Sequence, residues 1–185
     1  MWNPYAKSET VTLRRACEAI KVPLGDRVNL PAGMDVAITQ SLGGSFTVFV
    51  EGNLYRIAGR DADALGREPE ATPSLPADAT REQIEALIWD QMRRCYDPEI
   101  PVDIVELGLV YDCVVQPVAE GRYEVDVMMT LTAPGCGMGG VLVADVKDKI
   151  EHIPVVNAAR VELVFDPPWN ASMMSEAARL ATGML

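Results

Sequence analysis

Histidine and positive charge are scarce in this sequence of 185 residues. It contains one histidine, and its 16 lysines and arginines are outnumbered by 27 aspartates and glutamates, giving a formal net charge of −11. An excess of negative charge repels phosphate groups. The composition therefore argues against a nucleic-acid groove and against a patch that binds anionic membranes, and we expect basic or neutral partners.

Long apolar runs and paired cysteines are also missing. No stretch reaches the roughly 18 apolar residues of a membrane span, and Met1 to Tyr5 lack the basic start and apolar run of a signal peptide. We therefore expect a cytoplasmic protein. The cysteines are far apart and form no C-x-x-C pair, which predicts neither a disulfide framework nor a zinc ribbon; they are Cys17, Cys95, Cys113 and Cys136.

The chain divides by composition into three parts: residues 1–66, 67–79 and 80–185. The first part predicts a small β-rich, barrel-like or sandwich domain, because short β-rich runs alternate with glycine, proline and asparagine turns. The middle part contains prolines, small residues and charges without hydrophobic periodicity, which predicts a linker. The β-rich runs are Val28–Gly33, Val36–Gln40, Phe46–Val50 and Leu54–Ile57, with a hairpin turn at Glu51-Gly52-Asn53.

The third part predicts a compact α/β domain of order α-β-β-α-β-α with a mixed three-stranded sheet, so the fold class of the chain is α+β. Thr80 and Gln83 form a capping box that starts the first helix. Alternation and helical spacing place the later elements. These are a hairpin of 109–115 and 123–131, a helix over 140–153, a strand over 158–165 with Val161, Leu163 and Phe165 inward, and a last helix over 172–180.

The most informative segment is Thr130-Leu131-Thr132-Ala133-Pro134-Gly135-Cys136-Gly137-Met138-Gly139-Gly140. Its pattern predicts a strand, a glycine-lined turn and a helix start, so backbone N–H groups and the positive end of a helix would favour a thiolate at Cys136. A thiolate there could attack an electrophile or bind a soft metal. Alternatively, the glycines only make a tight connection and Cys136 packs as a small apolar residue.

Two other clusters could contribute chemistry, each with a structural alternative. Asp97 and Glu99 lie in a proline-punctuated acidic loop, where they could act near Cys136 or could cap backbone N–H groups and face solvent. Trp169, in an Asp-Pro-Pro-Trp run, could close the active face, although core packing is favoured. His152 is predicted at the far end of the helix that begins near Cys136, roughly 20 Å away. No catalytic constellation is complete, so we do not expect an enzyme.

Together these motifs resemble the PaaD-like and SufT-like family of iron–sulfur assembly domains. The similarity rests on D-P-E-I, L-G-L-V-Y, L-T-A-P-G-C and D-P-P-W, and covers about residues 80–185; the front part resembles the N-terminal region of SufT-like members. The resemblance implies an auxiliary factor that helps deliver iron–sulfur clusters to apo-proteins, with scaffold and recipient proteins as partners. It also implies that Cys136 holds a cluster or iron transiently, supported by the motif residues Asp97, Glu99, Thr132, Gly135, Gly137 and Trp169.

Departures from relatives narrow these possibilities. The chain lacks the cysteine-rich tail of the PaaD branch, so a PaaD-type maturation factor for an oxygenase is the alternative rather than the first choice. It also lacks a G-x-x-x-x-G-K-[ST] loop, so ATP hydrolysis is not expected. One thiolate does not fill a metal's tetrahedral shell, and the other ligands must come from carboxylates, a small thiol, a partner protein or a second subunit, as in a homodimer. A cofactor-free adaptor is a further alternative.

The predicted thiolate gives the first test. If Cys136 is stabilised as an anion, the rate of its alkylation should reach half its maximum at a pH below the free-thiol value of about 8.5. The measurement is peptide-resolved mass spectrometry after brief exposure to an alkylating agent across a pH series. A midpoint at or above the free-thiol value would contradict the prediction.

Overall fold

A computed structural model describes residues 8–97, 100, 102–135 and 137–184. The chain divides into two compact units between Ala71 and Thr72. Each unit has its own hydrophobic core. The exact bounds of the linker predicted over 67–79 stay a prediction.

The first unit is built on one antiparallel sheet of six strands in the order β1-β4-β5-β6-β2-β3. β1 and β3 form its two edges, so the strand order does not confirm the barrel-like closure that the sequence led us to expect. The sequence patterns predict four of the strands and miss β1 and β2. The strands are β1 Glu9–Thr12, β2 Cys17–Val22, β3 Arg27–Leu30, β4 Asp35–Leu42, β5 Ser45–Val50 and β6 Asn53–Ile57, followed by a 3-10 helix at Gly59–Leu65.

Two-residue turns set the register of the strands in this sheet. Glu51 and Gly52 have φ of 48° and 85° and join β5 to β6, with Val50 paired to Asn53. Two consecutive positive φ values give the tight turn whose twist matches that of the flanking strands. This confirms the hairpin turn predicted at Glu51-Gly52-Asn53, and Gly43-Gly44 makes the same kind of turn between β4 and β5.

The second unit contains a mixed three-stranded sheet, as predicted, and its strand order is β7-β8-β9. The central strand β8 is antiparallel to β7 and parallel to β9. In the described part of the chain, no helix combines the length and the hydropathy that crossing a bilayer requires. The elements are α1 Arg81–Met92, β7 Val110–Pro117, β8 Tyr123–Met129, α2 Gly139–Glu151, β9 Val156–Leu163 and α3 Glu176–Thr182, with 3-10 turns at Ala119–Gly121 and Ala171–Met173.

The first helix of this unit begins at the predicted capping box. The Gln83 N–H donates to Thr80 Oγ1 at 3.3 Å, and the Thr80 N–H donates to Gln83 Oε1 at 2.9 Å. Two N–H groups at the helix start are thereby satisfied. Ile88 and Met92, on the apolar stripe of α1, are fully buried in the core.

The second helix carries a buried ion pair that the sequence pattern does not predict. In the sequence, Asp145 and Lys149 stand among the charged residues between the apolar positions of this helix. Both are buried, at 5% and 7% exposure, and Lys149 Nζ lies 2.5 Å from Asp145 Oδ1. Burial of such a pair is tolerated because each charge has its opposite one helical turn away.

The end of β9 also differs from the prediction. Phe165 is 42% exposed rather than inward, and β9 ends at Leu163. Asp166 is followed by two prolines, which lack the N–H groups that continued pairing needs, so the chain leaves the sheet here. The last helix starts at Glu176 rather than near residue 172, after Ser175 Oγ accepts the N–H of Ala178.

Two glycines with similar backbone conformations but different surroundings allow a test of how closely the C-terminal segment packs on the loop before β7. Gly108 and Gly121 have φ of +70° and +69°, but an added Cβ would lie 2.2 Å from the Met173 carbonyl oxygen at Gly108 and would meet nothing within 4 Å at Gly121. Gly121→Ala should therefore cost only about 1 kcal/mol of unfolding free energy, from backbone strain. Gly108→Ala should cost at least about 2 kcal/mol more, because backbone must move.

Urea unfolding of the two variants measures this difference. Equal losses of stability in Gly108→Ala and Gly121→Ala would show that the carbonyl of Met173 does not pack against Gly108 in solution.

Candidate functional site

The segments that carry three of the four sequence motifs, L-G-L-V-Y, L-T-A-P-G-C and D-P-P-W, come together at one end of the three-stranded sheet. β8 ends there, β7 begins there, and β9, which is parallel to β8, also ends there. The Thr130 N–H donates to the Leu109 carbonyl at 2.8 Å, and the Val164 N–H donates to the Met129 carbonyl at 2.8 Å. Segments that are far apart in sequence are thereby joined by backbone hydrogen bonds around the end of the central strand.

Residues 164–175, which we call the C-terminal crossover, connect the β9 side of this sheet end to the loop before β7. Trp169 Nε1–H donates to the Leu107 carbonyl at 2.7 Å, and the Tyr111 hydroxyl donates to the Pro167 carbonyl at 2.7 Å. The Ser175 N–H donates to the Glu106 carbonyl at 2.8 Å. Trp169 is partly buried and packs against the core. Core packing is the role that the sequence favoured for this residue.

The loop that follows β8 contains Cys136, which lies outside the described residues. Its described neighbours Gly135 and Gly137 are exposed, and a Cβ added at Gly135 would meet nothing within 4 Å. Thr132 is half-buried. The loop therefore carries its glycines on the protein surface at the sheet end where the motifs meet.

The helix that follows this loop begins at Gly139, which is buried. A Cβ there would lie 3.0 Å from Leu131 Cδ1 and 3.1 Å from Leu163 Cδ1, so the start of α2 packs directly on the sheet end. The N-cap residue Met138 provides no side-chain acceptor for the first N–H groups of α2. Uncapped N–H groups and the positive end of the helix dipole both favour an anionic group nearby.

In the acidic loop before β7, two carboxylates, those of Asp97 and Asp103, hold the backbone of the loop itself. Asp97 is 4% exposed, and its Oδ1 accepts the Ile100 N–H at 3.0 Å. Asp103 Oδ1 accepts the N–H groups of Val105 and Glu106, each at 3.0 Å. Glu99 lies outside the described residues. The capping alternative for Asp97 is therefore present in the structure, whereas a role for either acid near Cys136 stays a prediction.

The three described cysteines are not in disulfide bonds and are poorly suited to act as thiolates. Cys95 is completely buried, in line with its predicted place in the core stripe, and Cys17 is also buried. Burial raises the pKa of the Cys113 thiol to about 11 and also raises the pKa of Cys17. Among the described residues, no group of three or more His, Cys, Asp or Glu side chains could hold a metal ion.

One residue at this sheet end is not singled out by any sequence pattern. Thr130 is 1% exposed, and its hydroxyl oxygen has no hydrogen-bond partner among the described residues. A threonine at the end of a predicted strand is an ordinary strand residue. Only the tertiary packing shows that its hydroxyl is enclosed, and a pattern of residue types could not have singled it out.

The Asp103 carboxylate gives a test of how the acidic loop is held. Asp103→Ala removes the acceptor of two hydrogen bonds and should lower the unfolding free energy by about 1–2 kcal/mol. Asp103→Asn keeps a side-chain oxygen as acceptor. Burial raises the pKa of Asp103, so the folded state disfavours its ionised form, and this destabilisation appears as pH rises through that pKa.

The unfolding free energy of Asp103→Asn, relative to that of the unsubstituted protein, should consequently be higher at about pH 7 than at about pH 4. Urea unfolding at both pH values measures the sign. An Asp103→Ala variant as stable as the unsubstituted protein, or an Asn variant that gains relative stability on acidification, would contradict this account.

Comparison with known proteins identifies relatives of the second unit. Residues 77–163 match the family model described as "Iron-sulfur cluster assembly protein". A Porphyromonas gingivalis protein named "Fe-S protein maturation auxiliary factor" is 44% identical over 103 residues, which are 56% of this chain and 94% of that protein. The Staphylococcus aureus "Fe-S protein maturation auxiliary factor SufT" is 44% identical over 88 residues, which are 48% of this chain and 96% of that protein.

A solved structure is also similar. The crystal structure of a domain of unknown function from Bacillus anthracis has 38% sequence identity and a TM-score of 0.49, and the similarity covers 56% of this chain and 95% of that one. The curated relatives are matched over nearly their whole length by about half of this chain. The chain therefore belongs to the family of iron–sulfur cluster assembly proteins and is SufT-like, through a domain that lies in its second unit.

Proposed function

We propose that this protein is an auxiliary factor in the assembly of iron–sulfur clusters or in their delivery to apo-proteins, and that it holds a cluster or iron transiently through Cys136. Its relatives are named as maturation factors for iron–sulfur proteins. The observation that carries the proposal is the surface position of Gly135 and Gly137, the immediate neighbours of Cys136, at the sheet end where the motifs meet.

The surroundings of the loop favour a thiolate at Cys136. The first N–H groups of α2 have no side-chain cap from Met138, and the helix begins three residues after Cys136. Gly135 and Gly137 are exposed and carry no side chains of their own beside Cys136 in the sequence. These features favour reversible binding of a soft metal, because the thiolate is the form of cysteine that binds metals.

A single protein thiolate is an advantage for a delivery factor. Iron–sulfur clusters are most commonly held by four cysteine thiolates, so one thiolate per chain leaves most iron coordination positions to other ligands. A recipient that offers several cysteines can then take the cluster by ligand exchange, in which each incoming thiolate replaces a ligand without a change in iron oxidation state. A homodimer that pairs two Cys136 sulfurs around one cluster would fit the same scheme.

The charge of the chain bears on the choice of partners. A net charge of −11 favours scaffold or recipient proteins that present basic or neutral surfaces, and disfavours nucleic acid. We propose no catalytic residue. Cys95 and Cys113 are core or partly buried positions, and His152 lies at the opposite end of α2 from the loop that contains Cys136.

Anaerobic reconstitution with iron and sulfide tests the proposal. The unsubstituted protein should bind both and show charge-transfer absorption, whereas Cys136→Ser should retain less than about a tenth of the iron, since the soft thiolate is lost. Cys113→Ser is the matched control, because burial holds the pKa of that thiol at about 11. It should bind iron as the unsubstituted protein does.

The readouts are bound iron, acid-labile sulfide and the absorption spectrum. Absence of iron from the unsubstituted protein after reconstitution would contradict cargo binding. Full complementation of a deletion strain by Cys136→Ala would then favour the cofactor-free adaptor. Full loading of Cys136→Ser would assign the ligand to another residue.

A further inference from the structure

The three-stranded sheet of the second unit has an outer face that is not part of the hydrophobic core. Successive side chains of a strand point to opposite faces. In β8, Val127 and Met129 belong to the core, so Asp126 and Met128 lie on the opposite side of the sheet, which we call the outer face. Strand pairing gives this face two adjacent rows across β7, β8 and β9: Asp112, Met128 and Glu162 in one row, and Val114, Asp126 and Arg160 in the other.

The first of these rows places a methionine between two carboxylates. Met128 pairs with Asp112 on β7 and with Glu162 on β9. Met128 is 40% exposed, and both acidic residues are exposed. Among the described residues, no lysine or arginine forms an ion pair with Asp112 or Glu162. This row therefore presents two uncompensated negative charges on either side of an apolar side chain.

The neighbouring row differs, because its carboxylate is neutralised within the chain. Arg160 Nε lies 2.6 Å from Asp126 Oδ1, and Arg160 Nη2 lies 3.2 Å from Glu124 Oε2. Val114, which is diagonal to Met128 on the adjacent strand, is 39% exposed. Diagonal neighbours of this kind are close enough for long side chains to touch. Met128 and Val114 therefore form a small exposed apolar patch on the outer face.

The negative charge of the chain is concentrated in the unit that carries this face. Residues 72–185 contain 18 aspartates and glutamates against 8 lysines and arginines, whereas residues 1–71 contain 9 against 8. A surface of one charge sign attracts segments of the opposite sign and speeds their association. The expectation of basic partners therefore applies to the second unit in particular.

We propose that the outer face is a docking surface for a basic segment of a protein partner, whose lysine or arginine side chains meet Asp112 and Glu162 and whose aliphatic side chain covers Met128. This inference rests on the proposed function, since the partner would be a scaffold or recipient protein of iron–sulfur cluster assembly. Parallel strand pairs usually have both faces covered, and the outer face of β8 and β9 is exposed. Methionine is flexible and polarisable, so it adapts to different apolar partners.

The spacing of the row defines the pattern that such a segment needs. Asp112 and Glu162 are two strand spacings apart, about 10 Å between their backbones. In an extended segment, side chains i, i+2 and i+4 share one face, and i and i+4 are about 13 Å apart. Two flexible lysines at i and i+4 can therefore reach both carboxylates while an aliphatic residue at i+2 lies over Met128.

A peptide titration followed by nuclear magnetic resonance tests the surface directly. The probe is a short peptide with blocked ends that contains Lys-Ser-Leu-Ser-Lys, and the reference peptide has glutamate in place of lysine. The full-length protein carries carbon-13 in its methionine methyl groups. The lysine peptide should shift the Met128 methyl resonance and leave that of Met184 unchanged, because Met184 is similarly exposed, at 43%, but lies outside the sheet. The glutamate peptide should shift neither.

Paired substitutions then separate the outer face from the overall charge. Asp112→Asn with Glu162→Gln should weaken binding of the lysine peptide about tenfold, because two ion pairs are lost. Glu68→Gln with Glu120→Gln removes the same charge from exposed positions outside the outer face and should weaken binding less than about twofold. Both pairs are nearly isosteric, and the urea midpoint of each variant verifies that it is folded.

Complementation of a deletion strain connects the surface with function. Asp112→Lys with Glu162→Lys should fail to complement, because basic partners are repelled. Glu68→Lys with Glu120→Lys changes the net charge equally and should complement. In anaerobic reconstitution, both variants should take up as much iron as the unsubstituted protein does, since the substitutions alter docking rather than cargo binding.

Several results would overturn the inference. Equal shifts of Met128 and Met184, or equal shifts with the two peptides, would show that the outer face has no preference for a basic segment. Equal losses of affinity in the two neutralised pairs would assign binding to overall charge. Full complementation by Asp112→Lys with Glu162→Lys would overturn the docking role and leave the proposed function intact. Failure of the unsubstituted protein to take up iron would instead overturn the proposed cargo binding and, with it, the assignment of the partner.

Discussion

The pairing of β8 with both neighbouring strands is the constraint on which the rest of the second unit depends. Because β8 is antiparallel to β7 and parallel to β9, the start of β7 and the ends of β8 and β9 all fall at one end of the sheet. The backbone bonds of Thr130 and Val164 fix this arrangement. Any change of register in β8 would separate the three segments that the motifs occupy.

The loops at this sheet end differ in structure: two segments are held by side-chain hydrogen bonds, and the loop after β8 is exposed. Asp97 and Asp103 accept backbone N–H groups, and Trp169 donates to Leu107, so these side chains hold the loop before β7 and the C-terminal crossover. The loop after β8 keeps Gly135 and Gly137 exposed. A rigid support beneath an exposed loop is a suitable arrangement for a residue that must meet partner proteins.

Elements with strong local signals could be predicted from the sequence. The capping box of Thr80 and Gln83 and the turn at Glu51-Gly52 depend on residues within four positions of one another, and both are observed. β1 and β2 have weaker patterns, since β1 is largely exposed and β2 contains the charged residues Glu18 and Lys21. The prediction that Phe165 faces inward was wrong, because the alternation of apolar residues does not show at which residue strand pairing ends.

The sequence alone determined the excess of negative charge, the glycine-rich setting of Cys136 and the motifs that resemble iron–sulfur assembly domains. These properties reside in residue type and close spacing, which folding does not alter. The tertiary structure decided which polar groups are buried: Asp97, the Asp145–Lys149 pair and Thr130. Burial depends on segments that arrive from distant parts of the chain, so no local pattern around Thr130 could reveal that its hydroxyl is enclosed.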